Sequence, residues 1–293
     1  MFLILNGEVV AHEQATISVY DHGFLYGAGL FETFRTYKGH PFLLDDHLAR
    51  LEKGCREIGL PWQADRERVV WQIEQLLKAN NLEDGRFRLN VSAGAAPVGL
   101  PSTPYDKVTE ILFVSPVSPA PDYKILRTVS VRRNEPEGDE RWKSHHFLNN
   151  LLAQREVPAG AEGVMLTKSG KVAEGVVSNL FFVKQGKLYT PALSTGILNG
   201  ITRQWVLAMS AILGIPVEEG EYDLAFAQEA DEVFITNSVQ ELVAVTQWDE
   251  RSYPCPCSHL VTQRLRDCYN RYKTKLWSID EIGAYSIDKG EHR

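Results

Sequence analysis

The sequence predicts a two-domain α/β protein of the α+β kind, and three observations lead there. At 293 residues the chain is too long for one small core, and two domains is the natural division. Two helix-period stretches alternate with strand-like runs over the first 114 residues, whereas hairpin patterns dominate after residue 123. Between these regions Ser115–Asp122 reads S-P-V-S-P-A-P-D, three prolines in eight residues, which denies ladder donors and suits an extended connector. The expected organisation is therefore 1–114 as an N-terminal α/β domain, 115–122 as linker and 123–293 as a larger strand-and-helix domain.

The first domain opens on F-L-I-L-N-G-E-V-V, two apolar runs joined by the hairpin signal Asn6-Gly7. Gly23, Gly27 and Gly29 then allow a tightly folded loop, after which Leu30–Thr36 alternates as a strand and turns at Lys38-Gly39. Leu44–Leu60 reads as a helix, with Asp45 or Asp46 at its positive end, Gly59 as its stop and Leu48, Leu51, Cys55 and Ile58 as its apolar face. A second helix over Arg66–Asn80 turns Val69, Ile73, Leu76 and Leu77 inward. Asp84-Gly85 opens the strand R-F-R-L-N-V-S-A-G, and T-E-I-L-F-V-S-P closes the domain.

In the second domain Leu126–Arg132 alternates as a strand, and a polar loop leads to Lys143. An amphipathic helix carrying Phe147, Leu148, Leu151 and Leu152 follows, and this pattern aims Lys143 into whatever cavity the helix lines. Hairpins turn at Ser169-Gly170 and Gln185-Gly186. Helices are expected over Gly200–Leu213 and about Cys257–Lys273, with the strand D-E-V-F-I-T between them and a polar, frayed tail after about Ile279.

Bulk properties exclude several classes. A net charge of −7 gives no basic face for general nucleic-acid binding. No apolar run reaches membrane-spanning length, and Met1–Leu5 is too short and uncharged for a signal peptide. Of the four cysteines, Cys255-Pro256-Cys257 suggests a metal or redox pair, but no second Cys/His pair has ligand spacing. Reduced thiols, a cytoplasmic location and no metal are the expectation.

The chemistry-bearing stretches are D-H-G-F-L-Y-G-A-G-L-F-E-T (Asp21–Thr33), H-L-A-R-L (His47–Leu51), Lys143 in W-K-S-H-H-F-L-N-N, E-G-V-V-S-N-L-F (Glu174–Phe181), N-G-I-T (Asn199–Thr202) and T-N-S (Thr236–Ser238). Taken singly each has a plain reading. Lys143 and Arg50 are ordinarily solvated, Glu174 is a strand end beside a turn, and Thr33 is a β-branched strand residue. N-G-I-T at a helix start does present free amides and the Thr202 hydroxyl to an anion.

In this order, and over nearly the whole chain, the stretches resemble the fold-type IV enzymes of pyridoxal 5'-phosphate. These form the class IV aminotransferase and aminodeoxychorismate lyase superfamily, with a two-domain fold like that of the D-amino acid aminotransferases. The resemblance implies pyridoxal 5'-phosphate as cofactor, held where the two domains meet. It implies that Lys143 carries the cofactor covalently and moves protons, that Glu174 pairs with the pyridine nitrogen, and that Arg50 contacts the phosphate. Ile201 and Thr202 at the helix start, with Asn237 and Ser238, would complete the phosphate nest. A small-molecule substrate and a homodimer, each site partly shaped by the partner, follow from the same resemblance.

Three branches compete within the superfamily. Branched-chain aminotransferases usually read F-E-G where this chain has Phe31-Glu32-Thr33, and they carry a tyrosine where it has Leu148. D-amino acid aminotransferases resemble it around K-S-H-H-F-L-N-N-L-L but carry arginine and histidine just after the R-F-R-L-N-V-S-type strand, where this chain reads A-G-A-A-P-V-G-L. Thr33 and Asn237 resemble the lyases, in which a threonine at this position is thought to help protonate the departing enolpyruvyl carbon. The expected activity is release of pyruvate from 4-amino-4-deoxychorismate to give 4-aminobenzoate, with transamination as the alternative.

Overall fold

Asn6 and Gly7 adopt positive φ (51° and 90°) and fold β1 (Phe2–Leu5) back on β2 (Glu8–Ala11), as a two-residue hairpin turn requires. This hairpin edges the first of two compact units in a computed structural model that describes residues 1–254 and 260–283. The expected cysteine pair Cys255/Cys257 lies outside the described residues, as does the tail beyond Gly283.

In the first unit α1 (His22–Tyr26) interrupts the glycine-rich loop, capped by Asp21 and ended by Gly27 at φ 71°. There follow β3 (Gly29–Tyr37), β4 (His40–Pro41), α2 (Leu44–Glu57), α3 (Arg66–Ala79), β5 (Gly85–Ser92) and β6 (Thr109–Pro116). The strands form one antiparallel sheet in the order β2-β1-β6-β5-β3-β4. One face of the sheet carries Ile4, Phe34, Phe87, Leu89, Leu112 and Val114. These pack with Leu48, Leu51 and Cys55 of α2 and with Val69, Ile73 and Leu76 of α3 into one core. Both helices bury the faces the sequence predicts, except that Ile58 falls past the end of α2 and stays exposed.

The second unit comprises β7 (Tyr123–Thr128), α4 (Leu148–Gln154), β8 (Glu162–Leu166), β9 (Val172–Gly175), β10 (Asn179–Lys184), β11 (Lys187–Pro191), α5 (Ile201–Ile212), β12 (Val217–Gly220), α6 (Leu224–Gln228), β13 (Glu232–Asn237), β14 (Glu241–Trp248), β15 (Arg251–Ser252) and α7 (Leu260–Tyr272). Its mixed sheet runs β12-β11-β10-β13-β14-β7-β8-β9, with β15 paired to β14. Leu180, Phe182, Val233, Ile235, Val243 and Trp248 fill its core.

Three features depart from the sequence pattern. Trp142–His146 and the stretch Lys273–Gly283 belong to the first unit, and the division from the second falls at Ser118/Pro119. Backbone bonding is the cause, since Phe31 N donates to Lys143 O, His145 N to Gly29 O, and Leu43 N to Leu276 O. The described end of the chain is correspondingly ordered, with Ile279–Glu281 forming a 3-10 turn and Ile282 buried. The third departure is α4, which starts five residues after Lys143 and leaves Leu148, Leu151 and Leu152 exposed. It buries Asn150 and Ala153 instead, because Asn150 Nδ2 satisfies the Val176 carbonyl at 2.6 Å.

Candidate active site

Lys143 is held by backbone pairing to the start of β3. Phe31 N donates to its carbonyl at 2.9 Å, and Ser144 makes an antiparallel bridge to Leu30. The side chain lies along the sheet, with Nζ 4.7 Å from the centre of the Phe31 ring. Thr33 lies two residues along β3 from Phe31, on the same face by strand alternation and directly opposite Arg88 of β5. The structure thus brings two of the expected catalytic residues, Lys143 and Thr33, to one face of one sheet.

Arg50 belongs to the other face. Its Nε and Nη2 donate to the two oxygens of Glu32 at 2.7 Å each, and the Glu32 carboxylate also accepts from His47 Nδ1 at 2.7 Å. Burial alone would raise the Glu32 pKa, but the Arg50 and His47 charges and hydrogen bonds hold it at about 2. Burial depresses the His47 pKa against the pull of Glu32. Arg50 is therefore a preformed fork, oriented by a carboxylate that the F-E-T stretch supplies.

In the second unit Glu174 ends β9 with its carboxylate buried. It accepts from Arg133 Nε at 2.8 Å, from the Leu198 amide at 3.0 Å and from Asn179 Nδ2 at 3.3 Å. Asn179 also donates to the Leu198 carbonyl at 2.8 Å and lies so close to Gly200 that a Cβ there would sit 2.1 Å from Asn179 Oδ1. Gly200 then leads into α5 without a side-chain cap, leaving the amides of its first turn open to an anion. Ile201 is buried, while the Thr202 hydroxyl meets that of Ser238 at 3.4 Å. Asn237 turns its Oδ1 onto the amides of Val239 and Gln240 (3.0 and 2.7 Å), so its side chain shapes the turn after β13.

Each unit by itself holds groups that suit pyridoxal 5'-phosphate. The uncapped α5 start with two hydroxyls suits a phosphate, the buried carboxylate suits a protonated ring nitrogen, and Lys143 offers a primary amine. The sequence reading did not single out Glu32, His47, Arg133 or Asn179. Glu32, His47 and Asn179 stand inside stretches already recognised, F-E-T, H-L-A-R-L and S-N-L-F. Arg133 lies in a polar segment 41 residues before Glu174, and no local pattern marks it.

The architecture and this side-chain set define a class, and comparison with known proteins agrees. Residues 29–248 match the family described as amino-transferase class IV, so the chain belongs to that family, whose cofactor is pyridoxal 5'-phosphate. The chain is 42% identical over 257 residues to the aminodeoxychorismate lyase of Bacillus subtilis, covering 86% of this chain and 88% of the relative. Among solved structures it is similar to 4-amino-4-deoxychorismate lyase from Pseudomonas aeruginosa (TM-score 0.80, 32% identity, 93% of this chain and 99% of that one). It is also similar to a branched-chain aminotransferase from Thermoproteus uzoniensis with norvaline (TM-score 0.85, 28% identity, 98% and 97%).

Proposed function

We propose that this chain is a pyridoxal phosphate-dependent lyase that releases pyruvate from 4-amino-4-deoxychorismate and leaves 4-aminobenzoate, a step of folate synthesis. The observation that carries the reading is Thr33, a hydroxyl on the same sheet face as the Lys143 amine and Phe31. The 42% identity to the Bacillus subtilis lyase supports it.

Lys143 would hold the cofactor, Glu174 its ring nitrogen, and Arg50, Ile201, Thr202, Asn237 and Ser238 its phosphate. When bound, the cofactor supplies an electron sink conjugated with the substrate amine. Lys143 would remove the proton from the ring carbon that bears the substrate amine. The ring carbon–oxygen bond then breaks and the ring becomes aromatic. Thr33 delivers a proton to the methylene carbon of the departing enolpyruvyl group, which leaves as pyruvate. Arg133 and Asn179 keep the Glu174 carboxylate oriented.

A homodimer fits the exposed apolar side chains of the first unit, including Val19, Tyr20 and Phe24. A cytoplasmic location accords with Cys55 as a buried free thiol.

The deciding experiment supplies purified holoenzyme with 4-amino-4-deoxychorismate, and separately with pairs of amino donor and keto acid. Equal amounts of 4-aminobenzoate and pyruvate are expected from the first. Rapid transamination with no attack on aminodeoxychorismate would overturn the reading in favour of an aminotransferase.

A further inference from the structure

Arg88 is a half-buried cation without an anion. Its Nε donates to Asn90 Oδ1 at 2.8 Å, and its guanidinium carbon lies 3.5 Å from the centre of the Phe31 ring. Among the described residues no carboxylate pairs with it, and burial lowers its pKa with no acidic group opposing that shift. Charged groups this deeply placed are ordinarily paired. An aromatic face and one amide oxygen compensate part of the lost hydration and leave the outer edge of the fork available.

The surroundings of Arg88 are those of a binding site. It stands directly opposite Thr33 in the β3–β5 register, and the Phe31 ring it covers is also the ring beside the Lys143 amine. The imidazole of His145 stacks on that same ring (6.4 Å, 29° between planes), and its Nε2 is buried without a partner. Burial, then the nearby Arg88 charge, pushes the His145 pKa down to about 4, so the ring is neutral near pH 7 and its polar edge can serve an anionic ligand. Gly29 makes room for this ring, since a Cβ there would lie 2.4 Å from His145 Cε1.

We propose that Arg88, flanked by Phe31 and His145, seats a carboxylate of the substrate and so places the reacting carbon between Lys143 and Thr33. The identity of the ligand rests on the lyase reading, in which the substrate carries one carboxylate on the ring and one on the enolpyruvyl group. A guanidinium meets either through two parallel hydrogen bonds.

The test uses holoenzyme of the wild type, Arg88→Gln and Arg88→Lys. The ligands are 4-aminobenzoate, its uncharged counterpart 4-aminobenzamide, and pyruvate, titrated by calorimetry and by cofactor absorbance. Arg88→Gln is expected to weaken one of the two carboxylate ligands about ten- to a hundredfold. Arg88→Lys should fall between it and the wild type, with 4-aminobenzamide affinity and cofactor occupancy unchanged in both. Loss of 4-aminobenzoate affinity assigns the seat to the ring carboxylate, and loss of pyruvate affinity assigns it to the leaving group. Unchanged affinity for both, or parallel loss of 4-aminobenzamide binding and cofactor, overturns the proposal. These titrations need no turnover, so a wild type inactive on aminodeoxychorismate would refute the lyase reading without deciding the seat.

Discussion

Glu174→Gln separates what the buried carboxylate does for the fold from what it does for the cofactor. In the cofactor-free protein the carboxylate accepts from Arg133 Nε, the Leu198 amide and Asn179 Nδ2. Glutamine keeps the shape but has one acceptor oxygen, so its amide group must confront at least one of those donors. It also leaves the guanidinium of Arg133, 7% exposed, without its counter-charge. Breaking one side of a buried pair costs about 3–5 kcal/mol. For a unit of this size each kcal/mol moves the melting point by about 2–4 °C, so a fall of roughly 6–20 °C is expected. Replacing both partners, as in Glu174→Gln with Arg133→Met, removes the stranded charge and should recover part of the loss. Calorimetric melting of the three cofactor-free proteins measures this. A single variant melting within about 2 °C of the wild type, at most about one kcal/mol, would refute the account of the Glu174 carboxylate as fully engaged by its three donors.

The remaining expectations concern the reaction and acid stability. Lys143→Ala should abolish covalent cofactor attachment and turnover with the fold intact, because the residue is fixed through its backbone; covalent attachment surviving borohydride trapping in the variant would identify another lysine. Arg50→Ala and Thr202→Ala should each weaken cofactor affinity about ten- to a hundredfold, as loss of a hydrogen bond to a charged group does, and unchanged affinity in both would remove the phosphate assignment. Thr33→Val keeps the β-branched shape, so a packing role predicts near-normal turnover, whereas a proton-delivering hydroxyl predicts about a 10²–10⁴-fold slower release of 4-aminobenzoate at unchanged cofactor occupancy. Glu32 has a folded pKa of about 2 against an ordinary 4.5, so its stabilisation is complete above pH 4.5 and is lost as the pH falls towards 2. Glu32→Gln should flatten urea-melt stability across that window, and an unchanged acid slope would show that the carboxylate is not held ionised.

What the sequence discloses and what it hides divide along the range of the interactions. The Asn6-Gly7 hairpin, the start of α3 and the uncapped start of α5 are decided by neighbours within one turn, and each is readable from a few residues. The orientation of α4 is not. Its leucines suggest an apolar face turned inward, but a long-range bond from Asn150 to the Val176 carbonyl turns the polar side in. Arg133 is invisible for the same reason, since its meaning depends on a partner 41 residues away.

The placement of Lys143 shows how the two kinds of information combine. Its motif marks the residue, but the reason it can act from a fixed position lies in a pairing across more than a hundred residues, Lys143 O to Phe31 N and Gly29 O to His145 N. These bonds make the lysine segment an added edge of β3, so its base shares the rigid sheet that carries Phe31, Thr33 and, across the register, Arg88. In the proposed reaction Lys143 moves a proton, and such a mount serves that role because misplacement by about 1 Å can cost a hundredfold in rate. The same pairing explains why Trp142–His146 departs from the unit to which its position in the chain would assign it.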